Sequence, residues 1–141
     1  MLKTFALIVV GYLTTSSLVL AADEKDRVME LPNAEPFDSA TYSGYLDISD
    51  DKSLHYTMVS SNDKPASDPL VIWFNGGPGC SSMLGMFQEN GPFVINDGEY
   101  QIIRNMNPWN RRANVLYLES PAGVGWSIAK TAEALKTNDY I

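Results

Sequence analysis

Apolar and polar positions alternate in two neighbouring runs, "YSGYLDIS" (residues 42–49) and "SLHYTMVSS" (53–61), joined across Asp50-Asp51-Lys52. That period of two predicts a β-hairpin. The pattern then changes. "SNDKPASDP" is a loop by composition, and "LVIWF" (70–74) is a continuous apolar run that suits a strand buried on both faces. From Ser82 to Asn90 the apolar residues Met83, Met86 and Phe87 fall at helical spacing, and Asn90-Gly91-Pro92 stops the helix. "FVINDGEYQIIRN" predicts a second hairpin around Asn96-Asp97-Gly98. "ANVLYLES" is another buried-type strand, running into the glycine loop "PAGVGWS". Residues 130–141 favour helix through Ala132, Glu133, Ala134, Leu135 and Lys136. Residues 23–41, with Pro32 and Pro36, read as an irregular arm. Two apolar strands that each end in a glycine-rich loop, with a helix between, predict an α/β sheet, in which ligands meet the carboxyl ends of the strands.

The first 22 residues follow a different rule. Lys3 is followed by a charge-free stretch from Phe5 to Leu20, then by small residues at Ala21 and Ala22, then by Asp23-Glu24-Lys25-Asp26-Arg27. This is the order of a secretory signal peptide. A membrane anchor would need roughly 20 apolar residues, and this stretch is shorter and diluted by Thr14-Thr15-Ser16-Ser17. The expected division is therefore a signal peptide at 1–22 and a soluble, lumenal or extracellular segment at 23–141.

Charge narrows the partners. The net charge is −7, and the basic residues are scattered apart from Arg111-Arg112, which disfavours nucleic acid and anionic membrane surfaces. Cys80 is the one cysteine, so in an oxidising compartment it is either a buried free thiol or paired outside this sequence. No Asn-x-Ser/Thr acceptor occurs.

The candidate chemistry lies in Asn75-Gly76-Gly77-Pro78-Gly79-Cys80-Ser81-Ser82. Gly76 and Gly77 can adopt backbone angles closed to other residues and leave their N–H groups uncovered. Ser81 or Ser82 can cap the following helix and bring its positive end close. Such a turn holds negative charge on an oxygen. It lacks the lysine of a phosphate-binding loop and the spacing of a dinucleotide fingerprint, which leaves an oxyanion hole as the common use. The partners of an acyl-transfer site are not evident. His55 is the one histidine and sits in a hairpin strand; Ser81, Ser82 and Ser127 ("GWSIA") lack the flanking glycines of a nucleophile elbow.

"SGYLDIS", "WFNGGPGCSS", "QENGPF" and "NPWNRRANVLYLESPAGVGWS" resemble, in order and spacing, the N-terminal part of the serine carboxypeptidases, over about residues 36 to 141. The resemblance implies the α/β-hydrolase fold, here its N-terminal part, and a peptidase that releases C-terminal amino acids through an acyl-enzyme. It implies that Gly77 supplies one oxyanion-hole N–H. Asn75, Glu89 and the Gly76 backbone would bind the substrate's free carboxylate, supported by Trp73. It also implies a disulfide from Cys80 to a downstream cysteine. A glutamate holds a carboxylate through a shared proton, which implies a preference for acidic pH. The family's nucleophile, aspartate and histidine match no position here, so residues 1–141 alone are expected to be inactive and to fold poorly, with an exposed sheet edge. Two departures stand in the second glycine loop: Trp126 replaces the usual Phe, and "SIAK" replaces an aromatic-rich continuation. No cofactor or metal is expected, the partner is a peptide with a free C-terminal carboxylate, and the compartment is lysosome-like, vacuolar or extracellular. An acyltransferase of the same fold and a secreted non-catalytic fragment are the alternatives.

Overall fold

The computed structural model describes residues 9–10, 23–77, 79–95 and 102–137. Most of the expected signal peptide, Pro78, the Asn96-Asp97-Gly98 turn and residues 138–141 lie outside the described residues.

The expected first hairpin is β3 (Thr41–Ser49) and β4 (Lys52–Val59), antiparallel with Tyr42 opposite Met58 and Tyr45 opposite His55. β5 (Leu70–Trp73) and β8 (Asn114–Leu118) are the two apolar runs. They lie side by side and parallel, with Ile72 opposite Leu116 and Trp73 opposite Tyr117. β8 is in turn antiparallel to β4. Short strands complete the sheet: β1 (Val9–Val10) against β5, β2 (Arg27–Val28) against β3, and β9 (Ile128–Ala129) against the start of β4. The order is β1-β5-β8-β4-β3-β2, mixed in direction. Parallel neighbours need a crossover. Here it carries the glycine turn, a short helical turn and a separate hairpin of β6 (Phe93–Ile95) and β7 (Ile102–Arg104).

Alternation along the strands sorts side chains onto two faces. Val59, Val115, Tyr117 and Trp73 form one core with Ala113 and Met86, flanked by Val71, Met83 and Phe87. Tyr42, Tyr56 and Met58 form the other, flanked by Ala40, Leu116 and Leu118. Both carboxyl ends, of β5 and β8, open into glycine loops on the same side of the parallel pair, which is where the site lies.

Three expectations are corrected. β5 is buried only at Trp73, with Leu70, Val71 and Ile72 half-buried, because the described residues cover its faces incompletely. β1 lies against β5 at Val71 and Ile72, through two residues of the segment read as a signal peptide. The arm contributes β2, two residues too few to show a periodic pattern. Residues 132–135 form turns and no helix: the Thr131 hydroxyl accepts from Ala134 N at 3.0 Å, and Lys136 N bonds back only three residues, to Glu133 O. A stretch this short does not sustain a helix on propensity alone.

Candidate active site

The turn after β5 is wound by its own polar side chains. Asn75 Oδ1 accepts from the Trp73 indole N–H at 2.7 Å and from Gly85 N–H at 3.1 Å. Asn75 N–H donates to Ser82 Oγ at 3.2 Å, and Ser82 Oγ donates to the Leu118 carbonyl at 2.6 Å. The strand end, the turn and the end of β8 are thereby locked together. Gly77 and Gly79 have φ of +144° and +97°, in the region that side chains with a Cβ rarely enter. Gly76 and Gly77 donate no hydrogen bond to any described residue, so both N–H groups are available to an oxygen.

The expected helix from Ser82 is shorter and wider than the spacing predicts. Ser81 Oγ accepts from Met83 N–H at 3.2 Å, which makes Ser81 the capping residue. The chain then widens over Gly85–Glu89, closed by Asn90 N–H to Gly85 O at 2.9 Å, a five-residue step. Such wide turns occur often at functional sites. This one places Glu89 where Asn75 Nδ2 approaches its Oε1 at 3.5 Å. Trp73, Asn75 and Glu89 therefore form one polar chain beside Gly76 and Gly77, although 14 residues separate Asn75 from Glu89.

Two residues that the sequence reading did not single out hold this chain in place. Trp109, from the "NPWN" turn, meets the Trp73 ring edge-on, with centroids 5.4 Å apart, and its N–H bonds to Asn90 O at 2.9 Å. Tyr117 is fully buried and donates to Asn90 Oδ1 at 2.9 Å, fixing the residue that ends the turn. Burial, with a smaller contribution from the charge of Glu89, pushes the Tyr117 phenol well above its ordinary range, so it remains a donor at any working pH. An unfolded tyrosine ionises near pH 10. The stabilisation is therefore complete below that pH and is lost as pH rises beyond it. Tyr117→Phe is expected to cost about 1–2 kcal/mol in thermal unfolding at neutral pH and to flatten the loss of stability above about pH 10.

His55 is buried and belongs to a different cluster. Its Nδ1 lies 3.0 Å from Glu119 Oε2 and its Nε2 lies 2.9 Å from Ser43 Oγ. A serine, a histidine and a carboxylate are thus in line, but Ser43 stands mid-strand in β3 opposite Thr57, with no strand-to-helix turn to present it. Ser127 is buried too; it accepts from His55 N–H and donates to Glu119 O, so it ties β4 to the second loop. Cys80 is an exposed free thiol among the described residues. A cavity of about 440 Å³ lies against the face that carries Ser43, His55, Met86 and Phe87 and does not include Asn75, Gly77 or Glu89. Among the described residues no group of His, Cys, Asp and Glu is arranged to hold a metal, and no helix is long and apolar enough to cross a membrane.

The family model for serine carboxypeptidases matches residues 32–140. The chain belongs to the serine carboxypeptidase family. It is 44% identical over 131 residues to serine carboxypeptidase ctsa-4.1 of Caenorhabditis elegans, covering 92% of this chain and 28% of that protein. It is 48% identical over 108 residues to the lysosomal protective protein of Mus musculus, covering 76% of this chain and 23% of that protein. Among solved structures it resembles the prohormone-processing carboxypeptidase Kex1(Δ)p of Saccharomyces cerevisiae, with a TM-score of 0.54 and 32% identity over 62% of this chain and 20% of that one. The mixed sheet is accordingly part of the α/β-hydrolase fold of that family. The chain spans about a quarter of the length of the curated relatives it matches.

Proposed function

We propose that residues 23–141 form the N-terminal segment of a serine carboxypeptidase that enters the secretory pathway, with residues 1–22 as its signal peptide. The observation that carries the reading is the Trp73–Asn75–Glu89 chain set beside two glycine N–H groups that no described residue engages. In this reading Gly77 N–H receives the oxygen that becomes negative as the peptide carbonyl is attacked. Asn75 Nδ2, the Gly76 N–H and Glu89 hold the carboxylate of the substrate's last residue, Glu89 through a shared proton. The indole of Trp73 keeps Asn75 turned so that its amide NH₂ faces Glu89. Requiring a free carboxylate makes the activity exopeptidic. Residues 1–141 alone lack the attacking serine and its histidine base and are inactive in this reading. Cys80, exposed beside the turn, forms a disulfide with a cysteine beyond Ile141. The names of two relatives, lysosomal and prohormone-processing, support a secretory, lysosomal or vacuolar destination.

The test takes a full-length protein that includes residues 23–141 and offers it a short peptide with a free C-terminal carboxylate and the same peptide as its amide. Release of the terminal amino acid is expected from the first, faster than from the amide by about 100-fold, and falling as pH rises above the acidic range. Equal rates on both would remove the carboxylate clamp. Transfer of the acyl group to an added alcohol without any hydrolysis would replace the peptidase reading with an acyltransferase.

A further inference from the structure

Glu119 is fully buried, which is rare for an ionisable side chain unless donors surround it. Three do. Ser81 Oγ donates to Oε1; Trp126 N–H donates to Oε2 at 2.8 Å; and His55 Nδ1 lies 3.0 Å from the same oxygen. A carboxylate only accepts, so the hydrogen at Nδ1 belongs to the imidazole, and Nε2 faces Ser43 Oγ as acceptor in the neutral ring or donor in the charged one. The two oxygens thus divide their work: one holds the turn after β5, the other holds the loop after β8 and the histidine of β4. Gly125, at φ +54°, has no room for a Cβ because the Glu119 carboxylate fills that space. This explains a glycine in the second loop by the buried carboxylate that the loop packs around.

We infer that Glu119 is a positioning residue for the oxyanion turn, acting through Ser81. Ser81 Oγ also accepts from Met83 N–H, so the same hydroxyl that anchors to Glu119 sets where the helical turn begins. It stands four residues after Gly77, and Ser82, beside it, is tied independently to the Leu118 carbonyl. With the serine pair held to the end of β8 by two bonds, the peptide plane that presents Gly77 N–H has a fixed direction. With only the Ser82 bond it can rotate about that single point. No contact of Glu119 with substrate is required.

This inference rests on the reading of Gly77 as an oxyanion donor, and its test separates the two. In a full-length protein that includes residues 23–141, Glu119→Gln is expected to lower kcat about tenfold or more while leaving KM within about twofold, because the carboxylate clamp is untouched. Ser81→Ala, which leaves the buried carboxylate with Trp126 and His55, is expected to lower kcat in the same way and to stand in if Glu119→Gln does not fold. The double variant is expected to lose no more than the worse single one. Unchanged kcat in both, losses that multiply, or a loss confined to KM would overturn the positioning role. Amide exchange over residues 75–85 needs no activity: faster exchange in either variant supports the bracket, and unchanged exchange overturns it. If the unsubstituted protein releases no amino acid, the proposed function falls while the exchange result still decides the bracket.

Discussion

Asn75→Ala, in a full-length protein that includes this segment, is expected to lower kcat/KM for a peptide with a free C-terminal carboxylate by about 100-fold, the largest catalytic loss among the residues described. The amide performs three tasks at once. Its Oδ1 satisfies Trp73 Nε1 and Gly85 N–H, and its Nδ2 points toward Glu89. Alanine leaves two part-buried donors without their acceptor, at about 1–3 kcal/mol each, and removes the donor aimed at the carboxylate. The loss is expected in both KM and kcat, since the indole and the helical turn lose a common anchor together. The same substitution assayed on a C-terminal amide should show a much smaller relative loss. If the amide substrate suffers as much as the acid, Asn75 is holding the fold and contributes nothing specific to carboxylate recognition.

Gly85→Ala is expected to be the most destabilising single-methyl change near the site, by about 3 kcal/mol, read as a lowered thermal midpoint. A Cβ there would collide with the Trp73 indole nitrogen and crowd Cε2 at 2.7 Å and Cδ1 at 2.8 Å. The indole cannot simply swing aside. It meets Trp109 in an edge-on contact, and Trp73 is a member of the buried cluster with Val115 and Tyr117. Any shift also breaks the Trp73–Asn75 bond, so activity should fall further than the stability change alone implies. A Gly85→Ala protein with unchanged melting would show that the helical turn can move outward freely, and that the tryptophan is not pinned as described. Gly85 therefore belongs to the site without touching substrate: its missing side chain is the space the indole fills.

How much of this could be read before any coordinates varied by element. The hairpin at 41–59 was legible because alternation is a local property, repeated over enough residues to exclude a helix. The strand ending at Trp73 and the one ending at Leu118 were legible as apolar runs. Their glycine loops implied an α/β sheet, and the structure pairs the two strands side by side and parallel. β2 was missed because two residues carry no periodicity. The helix after Ser82 was placed correctly but given a regular pitch, and nothing in Met83, Met86 and Phe87 distinguishes a regular from a widened turn. The expected helix at 130–141 failed over its described part, up to residue 137, because propensity summed over so few residues is weak beside the capping and turn bonds that Thr131 and Glu133 make instead.

For the site, the sequence by itself determined the kinds of residue and the two loops that carry them. "NGGPGCSS" and "PAGVG" permit positive φ and close approach, and their order along the chain carries the family resemblance. Only the tertiary structure decided which side chains meet. Ser81 and Glu119 are 38 residues apart, and His55 and Glu119 are 64 apart. No periodicity or propensity encodes such a pairing, because it arises when β8 lies between β4 and β5 and brings the ends of all three strands into one place. Burial then turns that neighbourhood into a requirement. A glutamate with no access to water must be met by donors from the chain itself, and the chain supplies them from a serine in the first loop, an amide in the second and a histidine in β4.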